Sequence, residues 1–248
     1  MRKLILTGMA ILIFIFFISC VSLPKLSGNE KFALVSFTLD KSIVSAGEEP
    51  DYGPTGLIVG DQDREAYFKI HRQALNVAWK EFKEAAPGIF GKARLVAINT
   101  IEGNAKLLAA TRIETNIVMG KDISPGGTYL WPDKLNYIDL RNPSVVSTVA
   151  GIIDADIYIA VNYKAEYFIS TGLAVGGVGG GEAKMRIIAT ITATDAAGKY
   201  FRTSTVIAES DETTEYVVSG IDSATYPRLI ASAQKNLIPK MTSEIAVW

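Results

Sequence analysis

The 248-residue chain has one cysteine and one histidine. A lone thiol closes no intrachain disulfide, and a lone imidazole cannot build a multi-histidine metal site. An excess of either charge is also missing: 25 Lys and Arg stand against 26 Asp and Glu, a formal net charge of −1. With no global field to hold a polyanion, nucleic acid is not an expected partner. Neither G-x-G-x-x-G nor G-x-x-x-x-G-K-[ST] occurs, and there is no G-x-S-x-G elbow. What remains is globular in kind, 48% hydrophobic, 21% charged and 9% aromatic, and long enough for one sizeable core.

The first twenty residues are the most directive. Arg2 and Lys3 precede an apolar run from Leu4 to Ile18, broken only by Thr7 and Gly8. That run is shorter than the roughly 20 residues needed to cross hydrocarbon as a helix, and its length and flanks are those of an export signal. The chain's one thiol follows at Cys20, and Phe17-Ile18-Ser19-Cys20 resembles a relaxed bacterial lipobox. Residues 1–19 therefore read as a signal peptide. Cys20 reads as the lipidation site, and residues 20–30, with Pro24, Ser27, Gly28 and Asn29, read as a polar tether. Two or three acyl chains, at about 0.8 kcal/mol per buried CH₂, anchor a protein durably without a spanning helix. Loss of Arg2 and Lys3 lowers the formal charge by two, to −3. Val21 follows the cysteine where an Asp would favour inner-membrane retention under the familiar sorting rule, so the outer membrane is the expected location.

Residues 31–248 read as one α/β (α+β) domain, a single mixed β-sheet packed by helices in the order β-α-β-α-(β)-α-β-β-β-α. Phe32 to Leu39 is a buried strand, and Asp40 to Gln62 a long loop rich in Gly and Pro. Asp61 or Asp63 starts a helix whose stripe is Tyr67, Ile70, Ala74, Ala78 and Phe82, stopped by Pro87-Gly88. Arg94 to Ile101 reads as a strand. Asn104 to Met119 carries a partial helical stripe that includes Leu107, Ile113, Ile117 and Val118. Pro125-Gly126-Gly127 is a turn, and Tyr129 to Leu140 holds a short edge strand. Asn142-Pro143 caps a helix running to about Asp154. Ile157 to Ile169, Ala183 to Thr194 and Lys199 to Glu209 alternate as strands with one drier and one wetter face. A last helix starts near Pro227 and shows Ile230, Ala233, Leu237, Met241 and Ile245, with a kink expected at Pro239.

Structural roles account for the remaining polar residues. The glycine-rich stretch Gly172 to Gly181 precedes a strand, not a helix, so it reads as a flexible connection with no anion-holding helix end. His71 flanks the first helix's stripe as a boundary or partly buried side chain. Asp61, Asp63 and Glu65 open like a calcium loop, but Ala66 and Arg72 stand where the turn Gly and bidentate Glu belong. Helix capping explains those acids. Asp154, Asp156, Asp211 and Glu212 read as solvated acids. Tyr129, Trp131, Tyr137 and Tyr158 read as core or edge packing, with an interface as the rival reading. No catalytic residue, cofactor or metal is expected, and the chain reads as no enzyme.

The helix from Pro143 to Ile153 runs into Asp154-Ala155-Asp156-Ile157-Tyr158-Ile159-Ala160-Val161. A later strand ends Ile191-Thr192-Ala193-Thr194-Asp195-Ala196-Ala197-Gly198-Lys199. This pattern resembles the curli-secretion lipoprotein and TolB N-terminal-like superfamily, which includes lipoprotein activators of peptidoglycan synthases. By order of elements the resemblance runs from Phe32 to Ile245; the 40–62 loop and Gly172 to Gly181 depart from it. It implies a non-enzymatic envelope protein that binds other proteins or self-assembles. The expectation is an outer-membrane-tethered periplasmic lipoprotein working by protein–protein contact in envelope assembly or transport. Its partners would be the membrane through its lipid, envelope proteins and a second copy of itself, and its contact surfaces the Thr-rich sheet face and the two long loops. The rivals are a lipoprotein that meets lipid through its amphipathic helices, and a hydrolase with scattered residues.

Overall fold

The computed structural model describes residues 28–45, 61–91, 94–118, 121–175, 178–217 and 220–248. Cys20, the signal segment and most of the 40–62 loop lie outside them. In chain order the first elements are β1 (Phe32–Asp40), β2 (Val44–Ser45), α1 (Asp61–Phe90), α2 (Ile98–Ile101), α3 (Ala105–Ala110), β3 (Ile117–Val118) and β4 (Lys121–Asp122). Next come α4 (Pro125–Thr128), β5 (Tyr129–Leu130), α5 (Pro143–Ala150), β6 (Ile157–Val175), β7 (Val178–Asp195) and β8 (Tyr200–Glu209). The chain closes with β9 (Thr214–Val217), β10 (Gly220–Ile221), a 3-10 turn at Ser223–Thr225 and α6 (Tyr226–Ile245).

One mixed eight-stranded sheet organises them, in the order β10-β9-β7-β6-β1-β5, with β2 pairing β6 and β8 pairing β7. β1 and β2 run parallel to β6, while the β6, β7 and β8 meander is antiparallel. All nine residues of β1 are buried, as its near-continuous apolar run dictates for a strand covered on both faces. Alternation in β7 holds as expected: Met185, Ile187, Ala189 and Ile191 are fully buried. They face α1 and α6, which pack on each other and on this side of the sheet. Phe37 centres the layer, its ring 4.9 Å from Tyr163 and 5.2 Å from both Phe82 and Trp79. Gln234 Nε2 on α6 donates to the Ala78 carbonyl on α1 at 2.9 Å, tying the two helices together.

Several expectations are corrected. Pro87-Gly88 does not stop α1, which continues to Phe90. An interior proline costs about 3 kcal/mol, but Ile89 and Phe90 become buried beyond it, at about 1.5–3 kcal/mol each. Gly91 then ends the helix at φ +82, the left-handed position that glycine takes without penalty. Arg94 to Ile101 is not a strand. Leu95 makes only an isolated bridge to Phe32, and Ile98 and Ile101 turn into α2 because residues three apart then share its buried side.

The stripe from Asn104 to Met119 is helical only over α3. Asn104 caps it by accepting from the Leu107 amide at 3.1 Å, and Leu107 is its one buried residue. Thr111 Oγ1 donates to the Leu107 carbonyl at 2.7 Å where the helix ends. Ile117 and Val118 belong instead to an exposed hairpin of β3 with β4. Pro125 to Thr128 closes into one helical turn. The Asn142 cap and Pro143 start hold, but α5 ends at Ala150.

Gly172 to Gly181 is strand as well as connection. The β6–β7 ladder pairs Gly172 with Gly181 and continues to Val175 opposite Val178. A bulge lies between Ile169 and Thr171, where the strand bends and twists more strongly. A Cβ on Gly181 would lie 2.1 Å from the Thr171 carbonyl oxygen, so only glycine fits there.

Candidate functional site

The second face of the sheet is covered unevenly. Over β1, residues 130–142 fold back: Ser36 Oγ donates to the Asn136 carbonyl and accepts from the Ile138 amide, both at 3.2 Å. Leu135, Ile138 and Leu140 are buried there. Over β7 and β8 the Thr-rich face stays open. Thr190 and Thr192 are half-buried and Thr203 and Thr205 exposed. Thr190 sits directly across the ladder from Thr205, and Thr192 from Thr203. The free margin of β8 is closed from the side, since Asn236 Nδ2 and Lys240 Nζ on α6 donate to the Glu209 and Ile207 carbonyls at 3.0 and 2.9 Å. Such capping removes acceptors that a further strand would need.

Two cavities flank the segment from Tyr129 to Arg141 and share Tyr129 in their walls. One, about 430 Å³, is lined by Lys41, Arg72, Asp122, Trp131, Asp133 and Asn136 among others. The second, about 360 Å³, has Thr38, Asn162, Thr190, Thr192 and Thr203 as its floor, with Asp139 and Arg141 at its rim. Tyr129 lines both. Its ring stacks on Tyr137 at 5.4 Å and 7°, and Trp131 lies 6.5 Å from Tyr137. All three rings are half-buried.

The charges around the cavities come in opposed sets. Arg72 donates to the Trp131 carbonyl and to Asp133, both at 3.0 Å, so α1 positions the Trp131 segment. Asp139 holds Arg141 at 2.9 Å. Burial opposes ionisation of Asp139, but the hydrogen bonds from Arg141 win and keep its carboxyl below the usual range. Burial pushes the Tyr129 and Tyr137 phenols up. Burial also lowers Lys41, with Asp122 opposing and Arg72 reinforcing the shift. Lys41 Nζ donates to the Gly126 carbonyl.

The other residues singled out in the sequence scatter. His71 is buried, 5.6 Å from the Tyr226 ring and edge-on to it. Tyr158 is core, its hydroxyl donating to the Ile153 carbonyl at 2.7 Å. Asp154 and Asp156 secure the chain's entry into β1, accepting from Lys31 Nζ at 3.0 Å and the Lys31 amide at 2.8 Å. Asp211 accepts from Asn236, and Glu212 from Arg228. Among the described residues no three His, Cys, Asp or Glu side chains gather as a metal site, and no helix is long and apolar enough to cross a membrane. Cys20 lies outside the described residues. The density of aromatics from Tyr129 to Tyr137 was the sequence signal for the cavities; Arg72, Asn162 and Thr203 gave none.

No family model matches the chain, and no curated protein does. Among solved structures, the hypothetical protein CT253 from Chlamydia trachomatis is 10% identical, covering 88% of this chain and 95% of that one, with a TM-score of 0.30.

Proposed function

We propose that the protein is a lipoprotein held to the periplasmic side of the outer membrane by acylated Cys20, and that its non-catalytic body works by protein–protein contact in envelope assembly or transport. The anchor rests on the charged, apolar and cysteine-ended order of residues 2–20. The contact role rests on one observation: Thr190, Thr192, Thr203 and Thr205 form a regular polar array on a sheet face that the helices leave open. A photo-reactive side chain at Thr205, tested in intact envelopes, should give discrete adducts. The same group at Lys80, on the exposed side of α1, should give none. Equal or absent adducts at both positions would count against the reading.

A second reading has its own observation. The apolar stripes of α1 and α6 are buried on the sheet, but Ile117, Val118 and Ile123 on the β3–β4 hairpin are 66%, 46% and 59% exposed. Exposed apolar side chains of this size support a lipid-contact reading. Co-sedimentation with anionic vesicles that disappears in Ile117→Ser would support it.

A further inference from the structure

We infer that the paired cavities that share Tyr129 are a binding site for an uncharged oligosaccharide. Three observations carry it. First, Tyr129 lines both cavities, so ligand units seated in either one meet the same side chain. Second, Tyr129, Trp131 and Tyr137 present half-buried ring surfaces held in place by one another. Flat aromatic faces match the C–H faces of pyranose rings, and large rigid rings concentrate binding energy. Third, the polar groups beside those rings are hydroxyls and carboxamides. Thr38, Asn162, Thr192 and Thr203 floor one cavity and Asn136 walls the other.

The charges decide the class of sugar. Asp139 pairs with Arg141 and Asp133 with Arg72, while Asp122 faces Lys41 across the same cavity. The paired cavities therefore carry equal numbers of cationic and anionic side chains. A phosphorylated or acidic ligand would need an unbalanced cation, and an acyl chain would leave this polar lining without partners. A neutral polyol with alternating hydroxyls and C–H faces satisfies both the rings and the floor. This site does not depend on the anchor. It shares Thr190, Thr192 and Thr203 with the contact face, so a bound sugar and a protein partner would compete there, and calorimetry on the isolated chain reads the sugar alone.

The test is calorimetric titration of the full chain, in a detergent without a sugar headgroup, with maltotriose, cellotriose and chitotriose. At least one should give a saturable heat with a millimolar or tighter constant. Trp131→Ala and Thr203→Val should each weaken that binding by about tenfold while circular dichroism stays unchanged; Thr203→Val is conservative and lies on an open sheet face, so it guards against misfolding. No heat from any trisaccharide would overturn the site. So would binding that both variants leave intact, or heat from sialyllactose or a neutral peptide alone.

Discussion

The two faces of one sheet show what different sequence patterns do. On the helix side, Tyr163, Ile187 and Ile191 meet Phe37, Phe82 and Met241 in a continuous apolar layer with almost no exposure. On the other side the same strands carry Asn162, Thr190, Thr192 and Thr203, β-branched or amide side chains that suit a pleated strand yet remain hydrated. One face supplies the burial that holds the fold, at about 25 cal/mol per Å² of apolar surface. The other is covered over β1, where Leu135, Ile138 and Leu140 are buried, and stays open over β7 and β8, where Thr203 and Thr205 are exposed to a ligand or partner.

Substitutions on each face should separate these roles. Phe82→Ala, in the middle of the dry layer, should cost about 3–5 kcal/mol in urea unfolding. A loss below about 1 kcal/mol would mean that the aromatic cluster is not the centre of stability. Gly181→Ala tests the arm where both faces run beyond the helices. Its Cβ would collide with the Thr171 carbonyl, so amide exchange should accelerate across residues 170–183 while exchange in α1 stays slow. Unchanged protection there would contradict the close approach of the two strands.

Tyr163 gives the dry face a pH signature. Complete burial raises its phenol well above the ordinary value of 10.0. A raised folded value leaves stability intact below the unfolded value, and that stability is lost as pH rises from there toward the folded one. Tyr163→Phe should change stability by about 0.5–1.5 kcal/mol near neutrality and should flatten the alkaline decline above pH 10.0. An identical alkaline slope in both proteins would show that other groups govern it. The smallest effect is expected on the wet face, where Thr205→Ala should stay within about 0.5 kcal/mol of wild type.

The same contrast explains what could be read from the sequence. β7 was legible because Met185, Ile187, Ala189 and Ile191 recur at period 2, with Lys184, Arg186, Thr190 and Thr192 on the other face and Ile188 the one apolar exception. α6 was legible because Ile230, Ala233, Leu237 and Met241 keep helical spacing. Arg94 to Ile101 was misread because a short apolar stretch fits one helical turn as well as a strand. The full length of α1 was hidden because the burial of Ile89 and Phe90, which offsets the cost of Pro87, is tertiary and leaves no local pattern. β9 and β10, four and two residues long, lie below the length at which period shows. The paired cavities were least legible: Arg72, Tyr129, Asn162 and Thr203 come from separate elements, and no local pattern announces that the chain will bring them together.

In the proposed reading, a thioether-linked lipid at Cys20 places this folded body beside a membrane. Metabolic labelling with an alkyne-tagged fatty acid, comparing wild type with Cys20→Ala, tests it directly. Label should appear on the wild-type chain in the outer-membrane fraction and not on the variant, which should appear among soluble envelope proteins. An unlabelled, freely soluble wild-type protein, or equal label on both chains, would contradict it.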